Sequence, residues 1–227
     1  MLPEAVKRLL RASLPFSLPD DALAVLSAGA QISDAAPGEH LYREGGGRFT
    51  FLVLRGLVRI YMSSPAGREI TVRYVRTGEL TGLSSIFSPR PPLNFQALTS
   101  TRALHLRPEV VDAAARTDAR VAYALAAQSS RSLVEFQREI GRQAFLSVRQ
   151  RVARHLLDLA TSAEPDQRMR ITQQELADAV GSAREVVARA LQGLRTAGLI
   201  KTSPLGIVLL DPEALHAEVT GASPPRA

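Results

Sequence analysis

The sequence of 227 residues contains no cysteine. This absence excludes disulfide bonds, thiolate zinc sites, iron-sulfur clusters held by cysteine and a cysteine nucleophile. The chain also lacks the run of roughly eighteen apolar residues that a membrane helix needs, and charges and prolines interrupt residues 1–16, so neither a membrane span nor a signal-peptide core is predicted. We therefore expect a cytoplasmic protein with no membrane partner.

The short motifs of common enzyme classes are missing as well. The chain has no G-x-S-x-G, no H-E-x-x-H and no Walker loop. Gly45, Gly46 and Gly47 resemble part of a phosphate-binding loop, but no lysine and helix start follow them, which favours a loop between strands. We expect no enzymatic activity and no metal site.

Composition and charge set broader limits. Hydrophobic residues make up 45% of the chain and charged residues 22%, which is enough for a real core and excludes disordered and collagen-like classes. Lys and Arg number 28 against 22 Asp and Glu, a formal net charge of +6. This balance permits a polyanionic partner without locating its site.

The first half of the sequence predicts two short helices followed by strands. A helix is expected to open at Pro19-Asp20-Asp21, and strands are expected from about residue 31. Residues 49–62 and 68–75 alternate as strands do and flank the turn cluster 63–67, which predicts a hairpin; residues 94–106 predict another strand. Glycine and proline turns between these strands indicate a small antiparallel β jelly roll.

A long helix is predicted from residue 118, because no proline follows for more than forty residues and Gly141 is the single glycine in that stretch. Apolar residues recur along it at spacings of three and four, which favours the seam of a homodimer; packing within the chain is the alternative. Ser147 is expected to cap the next helix. The predicted dimer residues are Val121, Leu125, Ser132, Leu133, Phe136 and Ile140.

The segment 171–200 predicts a helix-turn-helix. Thr172 with Glu175, and Ser182 with Glu185, have the spacing of two capping boxes. Gly181 between them allows the positive φ that ends a helix, so the two helices must cross steeply. Their shared core is predicted to consist of Leu176, Val180, Val187, Leu191 and Leu194.

Residues 200–203 and 207–210 flank Pro204-Leu205-Gly206 and predict a two-stranded wing. A helix-turn-helix with a wing is typical of DNA binding. Arg184, Glu185 and Arg189 lie in the first turns of the second helix, where arginine bonds guanine and glutamate accepts from cytosine; the alternative is a local Glu185–Arg189 pair with solvated arginines. Candidate phosphate contacts are Thr172, Gln173 and Ser182.

Nearly the whole chain resembles the Crp/Fnr superfamily. The family's recognition pattern S-R-E-T-V-x-R is matched by residues 183–189, AREVVAR, which keep both arginines and the glutamate. The resemblance implies that Arg184, Glu185 and Arg189 contact a TGTGA-type half-site. It also implies double-stranded DNA and a second copy of the chain as partners, and RNA polymerase contact through a loop at 162–168, while the choice between activator and repressor stays open.

The resemblance extends to the cyclic-nucleotide-binding roll but not to its ligand chemistry. Members that bind cyclic AMP use a Gly-Glu dipeptide and an Arg-Ser pair, where this chain has Gly82-Leu83 and Pro91-Pro92. Two prolines offer a phosphate neither a charge nor an N–H, and the family's Thr-Ser pair on the long helix becomes Phe136-Gln137. The candidate effector-pocket residues are Glu79, Leu80, Gly82, Leu83, Arg90, Phe136 and Gln137.

We therefore expect a regulator without a cofactor. The alternative is gating by cyclic AMP, another small ligand or haem in the roll, although the four histidines are scattered. The expected fold is α+β: an N-terminal antiparallel β jelly roll of effector type at 1–117, a long dimerisation helix at 118–146, and a winged helix-turn-helix DNA-binding domain at 147–227.

Overall fold

The computed structural model describes residues 2–67, 69–87, 91–160, 168–169 and 171–221. Antiparallel strands occupy the first half and helices the second, which confirms the α+β class. The chain folds into two units, one formed by residues 1–62 and 72–137 and the other by residues 63–71 and 138–227. The boundary at 137/138 lies inside a helix and differs from the three-part division expected from the sequence.

Two helices precede the roll, and the predicted helix start at Pro19-Asp20-Asp21 is confirmed. The second begins at Asp20 after Pro19, with acidic residues in its first turn that interact favourably with the helix dipole. The elements of this half are α1 Glu4–Ala12, α2 Asp20–Leu26, β1 Gln31–Ala35, β2 His40–Tyr42, β3 Phe51–Arg55, β4 Leu57–Ser63, β5 Glu69–Arg76, β6 Leu80–Thr81, α3 Ser84–Phe87, β7 Asn94–Ala97, β8 Thr101–His105 and α4 Pro108–Thr117.

The strands form two four-stranded sheets, ordered β1-β8-β3-β6 and β2-β7-β4-β5. In the first, Leu52 lies opposite Leu104; in the second, Ile60 lies opposite Phe95. The predicted hairpin neighbours, β4 and β5, are adjacent in the second sheet. Two sheets in this arrangement are the predicted jelly roll.

Two of the predicted strands are wrong in extent. Residues 49–62 form β3 and β4, which lie in different sheets, because Gly56 adopts φ +105° between them. A Cβ at Gly56 would lie 2.6 Å from Thr101 Oγ1, so the chain turns there in contact with its neighbour. Residues 94–106 are likewise divided into β7 and β8.

An aromatic cluster fills the space between the sheets. The rings of Tyr42 and Phe49 are stacked with centroids 3.8 Å apart, and Phe95 meets Phe49 edge to face at 4.8 Å. Phe51 and Phe95 are almost completely buried. Such contacts add to the free energy gained by burying the ring surfaces.

The long helix α5, Ala119–Phe145, covers one side of the roll with its first turns. Val121 is 0% exposed and Leu125 is 2% exposed, and both belong to the core that α1, α2 and α4 share with the roll. The prediction that these two residues form a dimer seam is therefore wrong. The physical reason is that the apolar stripe of α5 is divided between two environments. Its first half packs against the chain's own roll, and its second half is exposed.

The second unit contains the remaining elements. Ser147 caps α6 as predicted, since Gln150 N–H donates to Ser147 Oγ at 3.3 Å and Gln150 Oε1 accepts from Ser147 N–H at 3.0 Å. A short bridge joins Met169 to Ile207. The elements are α6 Val148–Ala160, α7 Gln173–Val180, α8 Arg184–Thr196, β9 Ile200–Ser203, β10 Gly206–Leu209 and α9 Pro212–Thr220.

The helices of this unit pack around one apolar core. Leu156 of α6, Leu176 of α7 and Leu194 of α8 are all 0% exposed, and Leu215 of α9 joins the same cluster. Across the part of the chain that the structure describes, no helix has the length and apolarity needed to span a bilayer.

Candidate nucleic-acid interface

The first capping box is confirmed at α7. Glu175 N–H donates to Thr172 Oγ1 at 3.1 Å, and Thr172 N–H donates to Glu175 Oε2 at 2.7 Å. Gly181 ends the helix at φ +62°, as predicted, and Ser182 N–H donates back to the carbonyl of Ala177 at 3.0 Å. These bonds satisfy backbone groups at both ends of α7 and leave a tight turn before α8.

The prediction of a second capping box, between Ser182 and Glu185, is wrong. The residue that precedes α8 in capping position is Ala183, and no side chain caps this helix. Ser182 lies one position earlier, where its amide closes α7. Because the turn is so short, the same residues cannot both end one helix and cap the next.

The helix α8 presents two different faces. Val187, Leu191 and Leu194 are buried against α6 and α7, as predicted. Arg184, Glu185 and Arg189 are exposed, and in the described part of the chain none of them forms a hydrogen bond or an ion pair. The local Glu185–Arg189 pair offered as an alternative is thus not formed, and three charged groups remain available on one exposed face.

The candidate phosphate contacts lie at the start of α7 and in the turn before α8. Thr172 and Gln173 are exposed, and Ser182 is half-buried. Thr172 Oγ1 accepts one hydrogen bond within the capping box, so its hydroxyl proton remains available to an outside acceptor. Helix N-termini with free amides and hydroxyls suit anionic groups.

The predicted wing is present and extends from the same core. In its antiparallel register Lys201 lies opposite Val208 and Thr202 opposite Ile207. Ile200 and Ile207 are buried, whereas Leu205 at the tip is 66% exposed. The exposed lysine on β9 and the exposed tip make the wing a second surface element beside α8.

A clamp that sequence reasoning missed joins three helices of this unit. Arg149 of α6 donates to both carboxylate oxygens of Glu218 on α9, at 2.8 and 3.0 Å. This hydrogen bonding lowers the pKa of the Glu218 carboxyl and raises that of Arg149. A Cβ at Gly193 of α8 would lie only 2.4 Å from Arg149 Nη1, so glycine there permits the close approach.

The effector candidates around β6 lie in or beside the core of the roll. Leu80 and Leu83 are buried in the roll's core, and Gly82 has φ +84° with the ring of Phe49 against it. Glu79 accepts from Arg73 at 2.9 Å. Leu80 and Leu83 thus fill the core beneath α5, and their assignment to an effector pocket stays a prediction.

The remaining effector and dimer candidates lie on the outer part of α5. Leu133, Phe136 and Ile140 are exposed apolar side chains; Gln137 is exposed and Ser132 half-buried. Arg90 and residues 162–167 of the predicted polymerase loop lie outside the described residues.

The histidines are separate from one another. His105 Nε2 lies 2.7 Å from Ser33 Oγ, and burial lowers the pKa of this imidazole. His40 Nε2 lies 2.8 Å from Tyr61 Oη, and His155 is buried in the second unit. Within the described ranges no three metal-binding side chains come together.

Two domain families match separate parts of the chain. Residues 150–218 match the Crp-like helix-turn-helix domain, and residues 33–118 match the cyclic nucleotide-binding domain. The transcriptional regulator LdrP of Thermus thermophilus is 35% identical over 191 residues, which cover 81% of this chain and 94% of LdrP. The chain belongs to the Crp/Fnr family.

Two further relatives extend this Crp/Fnr assignment. The cAMP-activated global transcriptional regulator Vfr of Pseudomonas aeruginosa is 30% identical over 162 residues, covering 66% of this chain and 75% of Vfr. The solved structure of the c-di-GMP responsive global regulator CLP of Xanthomonas campestris has a TM-score of 0.68 and 27% identity, covering 84% of this chain and 99% of CLP. This Crp/Fnr chain is a DNA-binding transcription regulator, and its family is one of regulators rather than enzymes.

Proposed function

We propose that this Crp/Fnr regulator binds a near-palindromic, TGTGA-like operator as a homodimer and does so without cyclic AMP. The observation that carries the proposal is the exposed face of α8, where Arg184, Glu185 and Arg189 have no partner within the described chain. Charged groups held on a packed helix without internal partners are available to base edges.

The chemistry of these three groups matches a guanine- and cytosine-containing half-site. An arginine donates two hydrogen bonds to O6 and N7 of guanine, and a glutamate accepts from N4 of cytosine. Arg184 and Glu185 stand in the first turn of α8 and Arg189 in the second. Thr172, Gln173 and Ser182 would contact phosphates and set the register.

The outer face of α5 supports the proposed homodimer. Leu133 is 56% exposed and Ile140 is 54% exposed, and seven residues separate them. Phe136 lies between them on the same side and is also exposed. A stripe of this spacing suits a second α5 helix, and a two-fold dimer places two recognition helices at half-sites one helical turn apart.

The chemistry of the roll supports the proposed independence from cyclic AMP. Leu83 stands where the resemblance places a ribose-binding glutamate, and it is buried. Pro91 and Pro92 stand at the phosphate position without a charge or an N–H to offer. Among the relatives, Vfr is described as cAMP-activated and CLP as c-di-GMP responsive, so the effector differs between members.

A second candidate function is gating by another small ligand. The observation that favours it is a cavity of about 310 Å³ in the first unit, between α4 and α5. Its walls are largely apolar, and Asp112 and Arg116 form an ion pair at 3.1 Å on one side. A small, mainly apolar effector would suit this cavity. Contact with RNA polymerase also belongs to the proposal, because the family resemblance implies it.

The test is fluorescence anisotropy of a labelled TGTGA-N6-TCACA duplex titrated with the protein, beside a scrambled duplex of the same composition. Each titration is run at two salt concentrations, with and without cyclic AMP. We expect tight binding to the operator alone, independent of nucleotide, and a weaker, steeply salt-dependent binding to the scrambled duplex. Operator binding only with cyclic AMP would contradict nucleotide independence, and equal binding to both duplexes would contradict the half-site.

A further inference from the structure

A second charged cluster lies in the first unit, where β5 meets α5. Arg73 of β5 donates to Glu79 in the turn before β6 at 2.9 Å, and its other terminal nitrogen donates to Glu135 of α5. The Arg73 side chain is only 16% exposed, against 37% for Glu79 and 40% for Glu135. One guanidinium is thus shared by two carboxylates on separate elements.

The cluster lies where the apolar packing of α5 ends. Toward the start of the helix, Val121, Ala124, Leu125 and Gln128 are all buried on the roll. One and two turns farther on, the residues of the same face, Ser132 and Glu135, are only half-buried. Beyond Gln128, the Arg73–Glu135 contact therefore replaces apolar burial as the means of holding the helix against the roll.

Gln128 and Glu135 are two successive polar ties of α5 to the same stretch of the roll. Gln128 Nε2 donates to the carbonyl of Leu80 at 3.4 Å, a long bond, and Glu135 reaches Arg73, which also holds Glu79. The ion pair is the stronger tie, because a charge-assisted bond to a guanidinium is shorter and stronger than a neutral one.

Burial lowers the pKa of the Arg73 guanidinium, Arg76 acts in the same direction, and Glu79 opposes both. A buried guanidinium that lost its carboxylates would be costly, and two carboxylates without the guanidinium would repel each other. Together, the three charged groups therefore stabilise one arrangement of β5 and α5.

We propose that Arg73, Glu79 and Glu135 form a built-in lock that holds the middle of α5 on the roll in place of a bound effector. The lock keeps Leu133 and Phe136 of the neighbouring turns in position for dimerisation. With one positive and two negative groups, the cluster also disfavours an anionic ligand at this point. The inference rests on the proposed function, since it explains how a homodimer forms without nucleotide.

The test compares three variants with the wild type by sedimentation equilibrium and by hydrogen–deuterium exchange. Arg73→Met leaves two carboxylates unpaired, Glu135→Gln removes the tie but keeps the Arg73–Glu79 pair, and the exchange R73E/E135R restores one arginine between two carboxylates. The matched control is Arg102→Gln, because Arg102 of β8 faces Asp34 of β1 in an exposed pair at 3.5 Å, in the sheet that does not contain β5.

We expect the dimer dissociation constant to rise about tenfold or more in Arg73→Met, and by a smaller factor in Glu135→Gln. Amides of residues 129–137 should exchange faster in both, while those of β3 and β8 stay protected. The charge-swapped variant R73E/E135R should recover most of the dimer affinity. A merely structural role for either residue alone would not predict this recovery. Unchanged dimerisation and unchanged exchange in Glu135→Gln would overturn the lock.

The two proposals fail in distinguishable ways. If the wild type is monomeric, the proposed homodimer is wrong. Hydrogen–deuterium exchange at residues 129–137, compared between the variants and the wild type, still decides whether the lock exists. If the wild type dimerises and binds the operator without nucleotide but Glu135→Gln behaves identically, only the lock is overturned. If Arg73→Met does not fold, Glu135→Gln carries the test, since it leaves no buried carboxylate opposite another.

Discussion

The charges on α8 and those where β5 meets α5 are used in opposite ways. Arg184, Glu185 and Arg189 are exposed and have no partner in the described chain, whereas Arg73 is nearly buried and bonded to two carboxylates. Charges with internal partners stabilise a particular arrangement of the chain. Charges without them contribute little to the fold and are free to bind another molecule.

The helix α8 is held in place by its buried apolar face rather than by its charges. Leu176→Ala should break that support, because the side chain is 0% exposed in the core beneath α8. We expect the free energy of unfolding of this unit to fall by about 2–5 kcal/mol, measured by urea denaturation followed by circular dichroism. Leu205→Ala at the 66% exposed wing tip is the control and should change it by less than about 0.5 kcal/mol.

Arg184→Ala tests the exposed charges of α8. We expect a loss of about 1–3 kcal/mol in operator binding and a relaxed preference at one guanine, with stability unchanged. Anisotropy against operators substituted at single positions measures this. The control is Arg195→Ala in the last turn of the same helix, which should leave the base preference intact; an equal loss on operator and scrambled duplexes would refute a base contact by Arg184.

The two helix starts of the helix-turn-helix give a matched pair. Thr172→Ala removes a cap that accepts from Glu175 N–H and should lower the free energy of unfolding by about 1 kcal/mol. Ser182→Ala should cost less than about 0.5 kcal/mol, because α8 has no side-chain cap. Thermal unfolding of the two variants checks this, and a larger loss for Ser182→Ala would restore the second capping box.

The clamp between α6 and α9 predicts a small effect with a defined pH dependence. Arg149 lowers the pKa of Glu218 by hydrogen bonding, so the clamp's contribution is present above the unfolded-state pKa and lost as pH falls through the folded-state pKa. Glu218→Gln should therefore cost about 0.5–1 kcal/mol near neutral pH and less in acid. Urea denaturation of both proteins at several pH values tests this. If the difference in their free energies of unfolding grew on acidification, the clamp would be contradicted.

The helix-turn-helix of α7 and α8 was largely predictable, because the residues that begin, end and orient its helices are close together in the sequence. The Thr172–Glu175 spacing and the glycine at position 181 define where α7 begins and ends, and both are confirmed. The buried positions of α8 follow from a periodicity that depends only on the helix itself. The second capping box failed because one tight turn could not serve two helices at once.

The roll and α5 were harder to predict because their contacts join residues far apart in the chain. A single alternating pattern over 49–62 does not show that the chain changes sheet at Gly56, where close approach to Thr101 requires a glycine. The apolar stripe of α5 likewise does not show which half faces the roll. Nothing local marks Arg73, whose partner Glu135 lies 62 positions away.

The sequence alone was enough to predict the family, the α+β class, the helix-turn-helix and the exposed charges of α8, because each depends on local spacing or on short motifs. Long-range contacts established which face of α5 is buried, that Leu80 and Leu83 fill the core, and that Arg73 joins Glu79 to Glu135. The physical reason is that burial and ion pairing depend on which distant segments the fold brings together.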